Sequence, residues 1–102
     1  MSEAGRVVRH VMFRGRVQGV GFRAFVEDMA LLRGIAGWVR NRRDGAVEAV
    51  FAGEPAVVAD MIAACREGPP SAQVDTVEAT EAGPVALAQA RAGELFSVLP
   101  TA

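Results

Sequence analysis

The apolar residues of this chain change their spacing in a fixed order, and that order constrains the fold more than any other feature. "RVVRHVMF", within about residues 6–14, is rich in β-branched residues, alternates in part and predicts a strand. "FRAFVEDMALLR" then sets Phe22, Phe25, Val26 and Met29 along one helical stripe, and Gly34 follows in the C-cap position. "AGWVRN" and "AVEAVFAG" predict two strands joined by "RRDG", a turn ending in Asp-Gly, so a β-hairpin comes next. In "EPAVVADMIAACREG", Pro55 suits the first turn of a second helix, and Val58, Met61, Ile62 and Cys65 form its stripe. Gly68 and two prolines end it. "AQVDTVEATE" predicts a fourth strand and "ELFSVLP" a short last one. The intervening "AGPVALAQARAG", residues 82–93, is read as a loop, with a short Ala-rich helix as the alternative.

The order β-α-β-β-α-β with a terminal strand predicts an α+β, ferredoxin-like (split βαβ) layout. One mostly antiparallel sheet would carry both helices on one face. Right-handed crossovers would put the first and third strands in the middle and leave the other face for solvent or function. The 102 residues suit a single domain over 1–102, and 51% apolar residues are enough to build its core.

Charge narrows the function classes. The formal net charge of −1 argues against a general nucleic-acid or membrane-surface role. Nine of the eleven basic residues precede Gly45, and all eleven are Arg. An absence of Lys can be a compositional habit, or it can reflect guanidinium forks used for phosphate or carboxylate. Cys65 is the one cysteine, so no intrachain disulfide and no Cys cluster is available, and its place in an apolar stripe predicts a core residue. His10, alone in an alternating run, is read as structural. "MSEAGR" lacks the features of a signal peptide, and no apolar run approaches the roughly 20 residues of a membrane span. The expectation is a cytoplasmic domain with no membrane partner.

Chemistry concentrates in "GRVQGVGFR", residues 15–23. Each glycine inside a regular element costs roughly 0.5–1 kcal/mol of backbone entropy, so Gly15, Gly19 and Gly21 need a reason. The stretch joins a strand to a helix N-terminus, where main-chain N–H groups lack intrahelical partners and the dipole favours an anion. Glycines that reach positive φ let such amides converge into a concave nest. The candidate phosphate-binding set is therefore Arg16, Val17, Gln18, Gly19, Val20, Gly21, Phe22 and Arg23. The Arg23 fork can fold back over the same cradle from the first helical turn. A lysine-free chain cannot carry a Walker loop, and the glycine order differs from the dinucleotide fingerprint. A ligand-free Gly-rich turn is the alternative.

The second stretch is "GWVRNRRDG", residues 37–45. Asn41 precedes the hairpin turn, where it can serve turn chemistry or offer a neutral amide to a water. Trp38 is read as core or cleft wall. Arg14, Arg16, Arg40, Arg42 and Arg43 would gather at the same end of the sheet as an anion-steering rim, each worth little alone.

Taken together, these stretches resemble the signature of the acylphosphatase family, G-x-V-Q-G-V-x-F-R followed by G-x-V-x-N-x-x-D-G-x-V-E. The matches are Gly15, Val17, Gln18, Gly19, Val20, Phe22 and Arg23, then Gly37, Val39, Asn41, Asp44, Gly45, Val47 and Glu48. The resemblance runs over about residues 7–82, and the apolar-rich C-terminal part departs from it. It implies hydrolysis of a carboxyl–phosphate mixed anhydride to carboxylate and inorganic phosphate, with no metal, cofactor or covalent intermediate. By position, it implies that Arg23 and the amides of the 16–22 loop hold the phosphoryl group and that Asn41 positions the attacking water. The expected partners are a small-molecule acyl phosphate and inorganic phosphate as product and competitive inhibitor, with no nucleic acid, acting on a monomer. A non-hydrolytic phosphate or carbamoyl-phosphate module, like the domain at the front of a hydrogenase-maturation protein, is the alternative. An RNA-binding member of the same layout would have to stack bases on Phe13 or Phe51.

Overall fold

The helices and strands form in the expected order because each carries its own local signal. A computed structural model describes residues 5–102; the first four residues of "MSEAGR" lie outside the described ones. The elements are β1 (Val7–Arg16), α1 (Phe22–Arg33), β2 (Ala36–Asn41), β3 (Val47–Gly53), α2 (Pro55–Glu67), β4 (Gln73–Glu81) and β5 (Phe96–Val98). Helix α1 begins after Gly21 and ends at Gly34, both in the left-handed region, at φ 79° and 67°. Pro55 opens α2, where its missing N–H costs nothing.

The sheet order is β4-β1-β3-β2-β5, with the first and third strands central as right-handed crossovers require. All pairs are antiparallel except β2–β5, which is parallel. One face carries the main core, in which Val11, Phe13, Val39, Val47, Ala49 and Phe51 pack against Phe22, Val26, Ala30, Val58, Met61 and Cys65 of the helices. Full burial of Phe13 and Phe51 settles their facing: they lie beneath the helices and offer no platform for a nucleic-acid base.

The opposite face is not left open, as the sequence reading expected. Residues Pro84–Gln89 form a 3₁₀ helix that crosses it, where a loop was expected. There Trp38, Val50 and Leu99 make a second small core with Val8, Ala86, Leu87 and Ala90. The Trp38 indole Nε1 donates to the Ala86 carbonyl at 2.6 Å, so its one polar atom is satisfied inside the apolar contact. Covered on both faces, every residue of β3 is buried. Beyond β5 the chain keeps following β2: Leu99 N donates to Val39 O, Ala102 N to Asn41 O and Arg43 N to Ala102 O, at 2.9–3.1 Å. The far end of β2, which bears Asn41, is therefore fixed on both edges.

Strand β1 runs two residues further than expected, to Arg16, by way of a bulge. Its register with β4 shifts between Arg14 and Gly15, leaving Asp75 as the extra residue. Gly15, at φ 125°, is needed there because a Cβ would run into the Gln73 carbonyl and the Asp75 amide. This glycine serves close strand approach rather than the nest proposed for it from spacing.

Candidate active site

Between β1 and α1 the backbone leaves an uninterrupted series of donors unused. Among the described residues, no amide from Gln18 to Ala24 donates to a backbone carbonyl until Phe25 N closes the first turn onto Gly21 O at 3.0 Å. Gly19 and Gly21 sit at φ 75° and 79°, and no atom lies within 4 Å of where a Cβ would stand on either. Backbone conformation, not crowding, demands glycine at these two positions. Positive φ at two such positions is the conformation that lets successive amides converge, and here it falls just before a helix N-terminus, where the dipole is positive.

The loop is tied to the hairpin by one side chain. Gln18 Nε2 donates to Arg42 O at 2.7 Å and to Ala46 O at 2.8 Å. Those two carbonyls belong to the turn, which closes itself through Arg42 N to Ala46 O, Gly45 N to Arg42 O, and Ala46 N to Asp44 Oδ1. The bond from the Ala46 amide, together with Arg14 alongside, holds the Asp44 carboxyl below its usual range. Gln18 is thus a clamp between the glycine loop and the residue next to Asn41. Sequence reasoning gave it an amide role and missed the side chain, whose partners lie 24 and 28 residues away.

A cleft of about 170 Å³ lies where these parts meet, lined by Val17, Gly19, Gly21, Phe22, Arg23, Ala24 and Asn41. Arg23 makes no ion pair among the described residues. Asn41 Oδ1 is buried without a hydrogen-bond partner among the described residues, a state that costs about 1–3 kcal/mol unless a water or ligand donates to it. Of the residues predicted from sequence, the structure brings together Val17, Gly19, Gly21, Phe22, Arg23 and Asn41. Arg16 is outside, paired with Gln73 at the end of β1. The Gln18 side chain is turned to the hairpin, and Val20 packs partly buried against the main core. Ala24 joins the lining without any sequence signal.

Most of the expected arginine rim is spoken for. Glu48 Oε1 accepts from Arg40 Nε at 2.8 Å and faces the Arg42 guanidinium at 3.3 Å, while His10 Nε2 bonds its other oxygen at 2.6 Å. Burial alone would raise the Glu48 carboxyl, but the bonds from His10 and Arg40 hold it below its usual range. Arg40 also lies 4.7 Å over the Trp38 ring, and Arg14 faces Asp44 at 3.3 Å. His10 is therefore structural, as its isolation suggested, and Arg23 is left as the uncommitted cation of the cleft.

The sequence and the fold agree with known proteins. The acylphosphatase family model matches residues 9–88. An acylphosphatase of Bradyrhizobium diazoefficiens is 62% identical over 94% of this chain and 97% of its own. The solved structure of an acylphosphatase from Coxiella burnetii superposes with a TM-score of 0.82 at 32% identity, over 97% of this chain and 98% of that one. Full-length HypF, in a phosphate- and nucleotide-bound form, matches with a TM-score of 0.78 at 26% identity over 94% of this chain but only 12% of its own. High identity with near-complete mutual coverage supports an acylphosphatase enzyme, a hydrolase acting on acid anhydrides, over a non-hydrolytic module. With the loop, the helix start and the asparagine turn all in register with that signature, the chain belongs to the acylphosphatase family.

Proposed function

We propose that the protein hydrolyses acyl phosphates by holding the phosphoryl group between the loop amides and the Arg23 guanidinium while Asn41 orients the attacking water. One observation carries this reading. Among the described residues, main-chain donors without carbonyl partners, a guanidinium without an ion pair and the asparagine that bears a buried, unpartnered acceptor meet at a single cleft of about 170 Å³. The first two answer the charge on the equatorial phosphate oxygens, and the third answers a water hydrogen.

The water oxygen forms its bond to phosphorus as the bond from phosphorus to the acyl oxygen breaks, and the electron pair leaves on the carboxylate. A carboxylate leaves readily, so no strong general acid is needed. Among the described residues, no Asp, Glu, His or Cys lines the cleft. The water proton therefore passes to a phosphate oxygen of the substrate or departs late in the step. Positioning and charge stabilisation do most of the work in phosphoryl transfer, and a donor of this kind is typically worth about 10²–10³ in rate. The products are the carboxylate and inorganic phosphate, and phosphate competes for the same cradle.

The test is turnover of benzoyl phosphate with and without excess inorganic phosphate. Arg23→Ala and Arg23→Lys should both lose phosphate binding and turnover, because a point charge does not reproduce the fork. Asn41→Ala should keep the inhibition constant of phosphate and lose turnover. Wild-type turnover by Asn41→Ala would refute the role given to that residue, and non-competitive inhibition by phosphate would refute the cradle.

A further inference from the structure

We propose that the acyl part of the substrate occupies a second cleft beside the phosphate cleft, and that this cleft fits an amino acid phosphorylated on its side-chain carboxyl. The proposal rests on the acyl phosphate reading above and adds the class of acyl group. Arg23 and Ala24 line both clefts. Beyond them the second opens to about 400 Å³ between Glu27, Arg91, Glu94 and Val98, a size suited to a small molecule. Asn41 lines only the first. In-line displacement puts the entering water and the departing carboxylate on opposite sides of phosphorus. A water held at Asn41 therefore sends the acyl group away from Asn41, past Arg23, into the second cleft.

The charged groups of that cleft differ in how far they are already engaged. Glu94 Oε1 accepts from Ser97 Oγ at 2.6 Å and faces the Arg91 guanidinium at 3.8 Å. Arg91 donates one nitrogen to Val98 O at 2.8 Å, which leaves donors of its five-proton fork uncommitted. Glu27 stands one helical turn past Arg23, half-buried, and makes no ion pair among the described residues. Among the described residues the cleft thus offers a carboxylate without an ion pair and a partly free guanidinium, with the short apolar side chains of Ala24 and Val98 also in its lining. An acetyl or benzoyl group leaves both charges unanswered. An acyl chain bearing an ammonium and a carboxylate answers both, the ammonium at Glu27 and the carboxylate at Arg91. Hydrolysis would then return the free amino acid and inorganic phosphate.

Three substrates that differ by one charged group at a time test this: β-aspartyl phosphate, succinyl phosphate, which lacks the ammonium, and β-alanyl phosphate, which lacks the carboxylate. In the native protein kcat/KM for β-aspartyl phosphate should exceed that of each truncated analogue by roughly fivefold, the scale of one partly exposed charge pair. Glu27→Gln should bring the β-aspartyl to succinyl ratio to about one. Arg91→Gln should do the same for the β-aspartyl to β-alanyl ratio. Equal kcat/KM across the series, or ratios that the variants do not move, would overturn the amino acid subsite while leaving the phosphatase reading standing. No turnover of the three substrates or of benzoyl phosphate would instead refute the phosphatase reading, and the subsite with it.

Discussion

Replacing Gln18 by leucine removes the clamp between the glycine loop and the hairpin while keeping a side chain of similar size. Two hydrogen bonds disappear, those from Nε2 to Arg42 O and Ala46 O. Neither carbonyl is orphaned, since Gly45 N still donates to Arg42 O and Arg42 N to Ala46 O. The loss therefore belongs near the low end of about 0.5–1.5 kcal/mol per bond, or about 1–2 kcal/mol in all. For a domain of this size that lowers Tm by roughly 4–12 °C. Activity should respond differently from affinity. The amides from Gln18 to Ala24 and Arg23 lie on one continuous loop and helix start, so the inhibition constant of phosphate should change little. Asn41 belongs to the other side of the clamp, and a shift of about 1 Å between water and phosphorus can cost on the order of 10²-fold in kcat. Benzoyl phosphate kinetics, phosphate inhibition and thermal melts read the three quantities separately. A variant that loses stability yet keeps the native kcat would refute the positioning argument.

Other expectations come from the same contacts. The depressed Glu48 carboxyl stabilises the fold above the ordinary carboxylate range, and that contribution is lost as pH falls through its lowered value. Thermal melts of Glu48→Gln should consequently show a shallower loss of Tm on acidification than the native protein; equal slopes would contradict this. Gly37→Ala should destabilise by more than about 3 kcal/mol, because φ 143° is strained for alanine and the new Cβ would strike the Val50 carbonyl, as denaturant unfolding would measure. Burial pushes the Cys65 thiol up to about 12, so it should ignore a disulfide reagent until the protein is unfolded; rapid labelling of the native form would count against a closed core.

The sequence by itself determined whatever is written in short-range periodicity and turn chemistry. The two helical stripes, the Gly34 and Gly68 terminators, the Asp-Gly hairpin and the strand-glycine-helix junction all appear where the spacing put them. The two spaced motifs likewise carried the family. That Arg23 would stand at a helix start and Asn41 just before a turn could be named in advance, because both are local events. Tertiary structure alone decided what depends on distant elements meeting. Gln18 shows no sign in its own neighbourhood that its amide will reach two carbonyls in the hairpin. Gly15 looked like part of the nest until β4 was laid against it. Residues 82–93 carry a weak helical signal, and only their packing on the second sheet face, with the Ala86 carbonyl accepting from the Trp38 indole, gives that segment its place. The division has one cause: local patterns fix dihedral angles and apolar faces, whereas a long-range hydrogen bond or close approach exists only once the core has brought its two ends together.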